Sequence, residues 1–177
     1  IEIIVDGVFG THRFLAHILY PQLYSFLIGS FEILAFLVLF SCVVFFIRRN
    51  IIKIKRFWSK EMTTWPKTDA NLILIFEIFL MTAFIVMNCS DQILQERGVD
   101  HYIIAGSFPI SSFFVPLFDS FSSTNLIIIE RFTWWFHILG ILAFLNYVLI
   151  SKHLHIFFAF PSTYYANIEK LGKFDNL

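Results

Sequence analysis

Three long apolar stretches constrain the fold of this chain more than any other feature. They run over about residues 21–47, 71–94 and 125–150 and consist mostly of Leu, Ile, Phe and Val. A hydrocarbon core about 30 Å thick needs roughly 20 apolar residues of α-helix to cross it. Each stretch is therefore predicted to be a transmembrane helix. Pro21 suits the start of the first one, because a first helical turn tolerates proline.

Composition argues against a soluble domain. Of 177 residues, 58% are hydrophobic and only 15% are charged, and the mean hydropathy is +0.74. One soluble core of this size could not bury so much apolar surface. We therefore predict an all-α fold, a polytopic transmembrane helix bundle with three complete spans, in which residues 1–177 form a single membrane domain. Residues 1–9 are expected to be the end of a preceding helix, which makes the chain a fragment of a longer protein.

The charges between the spans predict how the bundle is oriented. The loop 48–70 carries seven basic and two acidic residues, whereas the connection 95–124 carries three acidic residues and one arginine. Loops rich in Lys and Arg lie on the cytoplasmic side. The loop 48–70 and the tail 151–177 are therefore predicted to be cytoplasmic, and the connection 95–124 to lie outside. We favour this topology signal over lipid or nucleic-acid binding as the meaning of the basic loop.

Part of the outer connection is apolar without being a fourth span. Residues 105–121 are short for a span and contain Pro109 and Pro116. Proline interrupts helices, and irregular backbone is tolerated in a membrane only where protein or water satisfies its polar groups. We expect an interfacial or re-entrant segment that covers the outer face.

Histidines in and beside the spans are the best candidates for chemistry. His137 lies about halfway along the third span, and His155 follows 18 residues later. If one helix continues through residue 155, that spacing makes five turns, so both imidazoles project from one face about 27 Å apart. His153 would point about 160° away, and His101 is expected to be solvated. Two imidazoles on one stripe suit haem iron bound between this helix and another; interfacial or hydrogen-bonded histidines are the alternative.

Three carboxylates lie in or near the apolar stretches. Glu32 and Glu77 lie deep in the first and second spans, where a charged acid is costly. They are candidates for proton-relay groups or quinone neighbours, and protonated, hydrogen-bonded helix contacts are an equally weighted alternative. Glu130 is adjacent to Arg131 and is interpreted as half of an interfacial ion pair.

The other polar and thiol groups of the spans are assigned structural roles. Asn88, Ser90 and Asn146 are predicted to form hydrogen bonds between helices. Cys42 and Cys89 are far apart in the sequence and lack the CxxC spacing of zinc and iron–sulfur sites. We expect both thiols to pack as small hydrophobic groups rather than to form a disulfide.

Several stretches resemble one family of membrane proteins. Residues 131–137 (RFTWWFH), followed by 151–155 (SKHLH), are similar to the membrane domain of heterodisulfide-reductase-related iron–sulfur-binding oxidoreductases, itself similar to the nitrate reductase gamma subunit. Residues 6–13 (DGVFGTHR), 48–65 and 159–165 (AFPSTYY) resemble the same group in Bacteroidetes-type bacteria. The resemblance covers most of the chain, and its most specific element is WWxH followed by SKHxH.

The resemblance implies a set of iron ligands. In the gamma-subunit family, two b-type haems lie between two helices that each supply two histidines. Carried over to this chain, His137 and His155 become ligands of haem iron. One further ligand is implied upstream of Ile1, and the other at His12, with His17 as the weaker alternative.

The resemblance and the histidines together predict a membrane-embedded electron-transfer subunit in the bacterial inner membrane. It would pass electrons between quinone and cytoplasmic iron–sulfur clusters through one or two b-type haems, with the clusters on a partner or on a missing segment. The alternative is a non-catalytic membrane anchor of a redox complex, without a cofactor of its own. A transporter is disfavoured, since the spans lack the glycine-broken helices and paired halves typical of one.

Overall fold

The computed structural model describes residues 2–55, 65–151 and 153–166, which form an all-helical bundle. Its elements are α1 (Glu2–Phe9), a 3-10 turn (Phe14–His17), α2 (Pro21–Asn50), α3 (Trp65–Glu96), a second 3-10 turn (Ser111–Phe113), α4 (Val115–Phe118), α5 (Ser123–Val148) and α6 (Leu154–Tyr164). No strand occurs in these ranges, which confirms the predicted fold class. Of the predicted loop 48–70 and tail 151–177, residues 56–64, 152 and 167–177 lie outside the described part.

Helices α2, α3 and α5 are long and apolar enough to cross a membrane. Helix α3 lies in the middle and packs against both α2 and α5. Pro21 occupies the first turn of α2, as predicted. Ser122 caps α5, and its side-chain oxygen accepts a hydrogen bond from the backbone N–H of Asn125. Large apolar side chains remain exposed along all three helices, as contact with lipid requires.

The connection between α3 and α5 inserts between the helices. The Ser111 hydroxyl lies 3.1 Å from the carbonyl oxygen of Ile85, which precedes the end of α3 at Glu96 by eleven residues or about 16 Å. The backbone N–H of Ile110 donates to Glu32 of α2 at 2.8 Å. Irregular backbone at that depth needs such a partner, so Glu32 stabilises the inserted loop.

The third long helix ends earlier than the sequence predicts. Helix α5 ends at Val148, and α6 begins only at Leu154. The expectation of one unbroken helix from His137 through His155 is therefore wrong. The 18-residue spacing no longer places the two imidazoles on one face, because they belong to different helices.

A buried carboxylate holds the chain at this break. Asp69 of α3 is fully buried and accepts hydrogen bonds from the Tyr147 hydroxyl at 2.5 Å and the Ser151 hydroxyl at 3.0 Å. The Ser151 oxygen in turn accepts from the backbone N–H of His153 at 3.1 Å. This N–H therefore bonds to a side chain instead of continuing the helical ladder, which accounts for the turn between α5 and α6.

A small apolar core closes the bundle where α3 meets α5 and the inserted connection. It consists of Cys89, Ile93, Leu94, Tyr102 and Leu126. Cys89 is 1% exposed and packs as a small hydrophobic group, as predicted. Its thiol and that of Cys42 are both unbridged.

Candidate functional site

His137 is buried between α5 and α3. Its Nδ1 lies 3.0 Å from the backbone carbonyl oxygen of Leu80, and its ring lies 5.6 Å from that of Phe84. A carbonyl oxygen only accepts, so Nδ1 carries the proton and Nε2 keeps its lone pair. A histidine held through one nitrogen by a backbone carbonyl has the arrangement of many metal ligands.

Helix α1 passes close to the same stretch of α5. A Cβ atom on Gly7 would lie 2.5 Å from the Trp134 ring, so only glycine fits at this crossing. Trp134 precedes His137 by three residues and therefore shares its face of the helix. The segment that enters the bundle at α1 thus lies beside the face of α5 that carries His137.

His12 is held by hydrogen bonds at both ring nitrogens. The backbone N–H of Ile103 donates to Nδ1 at 3.2 Å, and Nε2 donates to Asp91 at 2.8 Å. The side chains of His12 and Asp91 are 8% and 4% exposed. Neither nitrogen offers a lone pair to iron unless one of these bonds breaks, so the geometry does not fit His12 as a haem ligand.

Arg13 completes this cluster as the counter-ion of Asp91. Its Nε donates to Asp91 at 3.0 Å and its Nη2 forms a second bond to the same carboxylate. Burial lowers the pKa of the Arg13 guanidinium, but the adjacent Asp91 carboxylate and Tyr24 outweigh burial and hold the pKa above its ordinary value. Arg13 therefore stays charged, and the pair carries no net charge.

The backbone of Arg13 is in the left-handed region, with φ 56° and ψ 48°. Asp6 holds it there, because the Asp6 carboxylate accepts hydrogen bonds from the backbone N–H groups of Arg13 and Phe14 and from the Thr11 hydroxyl. A strained non-glycine residue fixed by several bonds often marks a functional position. The segment after α1 thus aims the guanidinium into the bundle.

Asn88 connects the ion pair to Glu32. Its amide nitrogen donates to Glu32 at 3.3 Å, and its oxygen accepts from Arg13 at 3.4 Å. Glu32 also lies 2.5 Å from the Ser111 hydroxyl. Glu32 is fully buried and holds α2, α3 and the inserted loop together. These bonds agree with the alternative interpretation of Glu32 as a hydrogen-bonded contact between helices.

The other predicted residues lie apart from this cluster. His155 is exposed on α6, with its ring 6.2 Å from that of His153. Glu77 is half-buried in α3. His17 and His101 are exposed, and the ring of His101 lies 5.6 Å from that of His12.

The predictions for the remaining polar groups have mixed outcomes. Glu130 pairs with Arg131 at 2.7 Å, as predicted, and also accepts from the Tyr102 hydroxyl at 3.0 Å. Asn88 forms the predicted bonds between helices. For Asn146 the prediction is wrong, because its amide donates to the Leu142 carbonyl of its own helix. The buried Ser90 hydroxyl has no hydrogen-bond partner among the described residues.

Two cavities flank the Arg13 side chain. One is a polar chamber of about 40 Å³ whose wall carries the ionisable groups of Asp6, His12, Asp91, Glu130 and Arg131. This volume holds roughly two or three water molecules. The other is an apolar cavity of about 410 Å³, whose wall is mainly leucine, isoleucine, phenylalanine and methionine.

Sequence reasoning missed the centre of this site. Asp91 lies at the end of an apolar run, where an acid is a functional candidate by default. Arg13 lies in the stretch 6–13, and nothing in that stretch indicates its partner. Their ion pair joins residues 78 positions apart, and no local spacing in the sequence indicates it.

Over residues 2–55, 65–151 and 153–166, no three histidine, cysteine, aspartate or glutamate side chains converge as a metal site. For haem iron, His137 would supply one ligand through Nε2.

Comparison with known proteins gives one informative relative. No family model matches the chain, and no solved structure matches it. Over 146 residues, or 82% of its length, the chain is 30% identical to the probable iron-sulfur-binding oxidoreductase FadF of Bacillus subtilis (strain 168). The chain spans 19% of the length of that protein. It is therefore similar, over about a fifth of the relative, to an iron–sulfur-binding oxidoreductase.

Proposed function

We propose that this chain is the membrane-embedded electron-transfer part of an oxidoreductase in the bacterial inner membrane. It passes electrons between quinone in the bilayer and iron–sulfur clusters on the cytoplasmic side, by way of b-type haem. The observation that carries the proposal is His137, a buried imidazole on a membrane helix that is oriented through Nδ1 and keeps Nε2 available. The similarity to an iron–sulfur-binding oxidoreductase supports the electron-transfer class.

In this proposal each residue around His137 has a defined task. His137 would hold the iron through Nε2, and the Leu80 carbonyl fixes the ring and its tautomer. Trp134 and Phe84 exclude water from the ligand. Bound haem supplies the one-electron chemistry. His155 remains the candidate ligand for a second haem near the cytoplasmic boundary.

The acids of the membrane spans are the candidates for quinone contact and proton transfer. Glu32 and Glu77 remain our candidates for proton transfer or quinone contact, since acids inside membranes commonly serve such roles. Glu32→Gln tests Glu32. The one amide oxygen of glutamine can still accept the hydrogen bond from the backbone N–H of Ile110, but the side chain cannot take up and release a proton. Unchanged quinone turnover in an assembled Glu32→Gln protein would remove Glu32 from the proposal.

The haem proposal is tested by the reduced-minus-oxidised absorption spectrum of the purified full-length protein. We expect a b-type spectrum in the wild type, loss of at least one haem in His137→Ala, and no loss in the matched control His101→Ala. His101 is an exposed histidine of the connection. A wild-type protein without a b-type spectrum contradicts the proposal, as does a His137→Ala protein with its full haem content.

A second candidate function is a membrane anchor without a cofactor. The observation that favours it is His12, whose ring nitrogens both serve hydrogen bonds inside the protein. In that case His137 has a structural role only. An anchor would assemble with its iron–sulfur partner in the absence of any haem, and His137→Ala would leave that assembly intact.

A further inference from the structure

One wall separates the apolar cavity from the polar chamber. Four residues line both spaces: Glu2, Ile3, Arg13 and Met87. Glu2 is the carboxylate of this shared wall, and Arg13 is its fixed cation. A group that can gain and lose a proton therefore lies between an apolar space and a space of water size.

The contacts of Glu2 orient it for this position. Its Oε1 accepts hydrogen bonds from the Tyr24 hydroxyl at 2.9 Å and from the backbone N–H of Leu15 at 3.2 Å. Within the described ranges, no hydrogen bond to Oε2 is present. The carboxylate is thus held through Oε1 by Tyr24 of α2 and by the backbone of Leu15.

The apolar cavity has the size and polarity of a site for an amphipathic ring. Ligand cavities commonly measure about 300–1,000 Å³ and combine apolar walls with a few polar groups. Here the walls include Leu27, Ile28 and Phe31 of α2, and the polar groups are Glu2, Tyr24 and Arg13. The strained backbone of Arg13 and its two bonds to Asp91 fix the guanidinium at this end.

We propose that Glu2 is the proton acceptor for a hydroquinone bound in the apolar cavity, and that the polar chamber carries the proton to the outer side. This inference rests on the proposed function, which supplies the one-electron acceptors for the hydroquinone. It adds to that function the cavity in which the hydroquinone ring binds and the residue that accepts its protons.

The proposed step balances protons and electrons. A hydroxyl O–H bond of the hydroquinone breaks, and its proton forms a bond to a carboxylate oxygen of Glu2. Glu2 then passes the proton to water in the polar chamber and is ready for the second one. The two electrons of the ring pass singly to the one-electron acceptors, so each hydroquinone yields one quinone, two protons and two electrons.

The ionisable groups around the chamber suit the release of a proton from Glu2 into it. Besides Glu2 and Arg13, its wall carries Asp6, His12, Asp91, Glu130 and Arg131. Arg13 and Arg131 are each bonded to a carboxylate. Counting Glu2, four carboxylates and two guanidiniums line the chamber. With His12 neutral its wall is therefore net negative, which favours a proton that enters the water there.

The first test replaces the base. We expect Glu2→Gln in the full-length protein to lower the rate of electron transfer from a menaquinol analogue by at least about 100-fold, the lower range for loss of a general base. Chemical reduction by dithionite should be unchanged, because it bypasses the quinol. The matched control is Glu96→Gln, an exposed acid at the end of α3, which should keep the wild-type rate.

The second test fills the cavity. Leu27→Trp should raise KM for the quinol analogue at least tenfold while the protein still assembles, whereas Leu34→Trp, at an exposed position two turns further along α2, should not. If Glu2→Gln keeps its rate, Glu2 is not the base. If an assembled Leu27→Trp protein keeps the wild-type KM, the ring does not bind in this cavity.

The two proposals fail in different ways. A wild-type protein that contains haem and oxidises quinol, but whose Glu2→Gln variant is fully active, leaves the proposed function in place and overturns this inference. A wild-type protein that has no b-type spectrum and reacts with neither quinol nor quinone overturns both.

Discussion

Replacing Asp91 by asparagine should destabilise the protein strongly. Asp91 is 3% exposed and accepts hydrogen bonds from His12, from two nitrogens of Arg13 and from Gln95. Asparagine has the same shape but no charge, so the variant leaves the Arg13 guanidinium buried without its counter-ion. Breaking one side of a buried ion pair costs about 3–5 kcal/mol. This cost lowers the ratio of folded to unfolded protein by roughly two to three and a half powers of ten.

The assay is denaturant unfolding in detergent micelles, followed by tryptophan fluorescence. Asp91→Asn, Arg13→Gln and the double variant form a cycle that separates the pair from its surroundings. Each single variant leaves one buried charge, whereas the double variant leaves none. We therefore expect the double variant to be more stable than the sum of the two losses predicts, by about 1–3 kcal/mol. Glu96→Gln, on the exposed end of the same helix, should change the free energy of unfolding by less than about 0.5 kcal/mol.

Two results would refute this reasoning. One is an Asp91→Asn protein within about 1 kcal/mol of the wild type, which would mean that water reaches the pair or that the guanidinium moves to another partner. The other is strict additivity in the cycle, which would mean that the two side chains do not interact in the folded protein. Either result would also weaken the picture of Arg13 as a fixed cation between the two cavities.

Two further substitutions test the packing that positions the site. Gly7→Ala should destabilise the bundle by about 1–3 kcal/mol, because the new methyl group would overlap the Trp134 ring; a melting temperature equal to that of the wild type would contradict the close approach of α1 and α5. Glu32→Leu should cost about 1–3 kcal/mol, since it leaves the backbone N–H of Ile110 without its acceptor. Hydrogen exchange should then accelerate at Ile110 in Glu32→Leu and much less in Glu32→Gln, and equal rates in the two variants would show that Glu32 does not hold the loop.

Local patterns in the amino-acid sequence predicted several parts of this protein correctly. The three membrane helices follow from runs of apolar residues, since a helix of that length and composition has no other place to be stable. The ion pair of Glu130 with Arg131 follows from adjacency in the chain. The bond of Asn88 to a neighbouring helix follows from the cost of an unpaired amide in an apolar surround.

Predictions that depended on helix continuity or on side chains from other helices were less successful. The five-turn spacing of His137 and His155 assumed an unbroken helix, but Asp69, 82 positions before Ser151, bonds to the chain at the break and diverts it. His12 is implied as a haem ligand by the family resemblance and not by any spacing in the sequence. Its two ring nitrogens are occupied by Asp91 and by the backbone of Ile103, which lie far from it in the sequence.

The amino-acid sequence by itself determined that this chain is a membrane helix bundle, because apolar length and composition act locally and need no knowledge of neighbours. Only the tertiary structure decided which buried polar groups meet. Arg13 and Asp91 neutralise each other across the bundle, Glu32 holds the inserted loop, and Glu2 lies between an apolar cavity and a polar chamber. In a low-dielectric interior each polar group must find its partner in three dimensions, and that pairing is what sequence spacing does not contain.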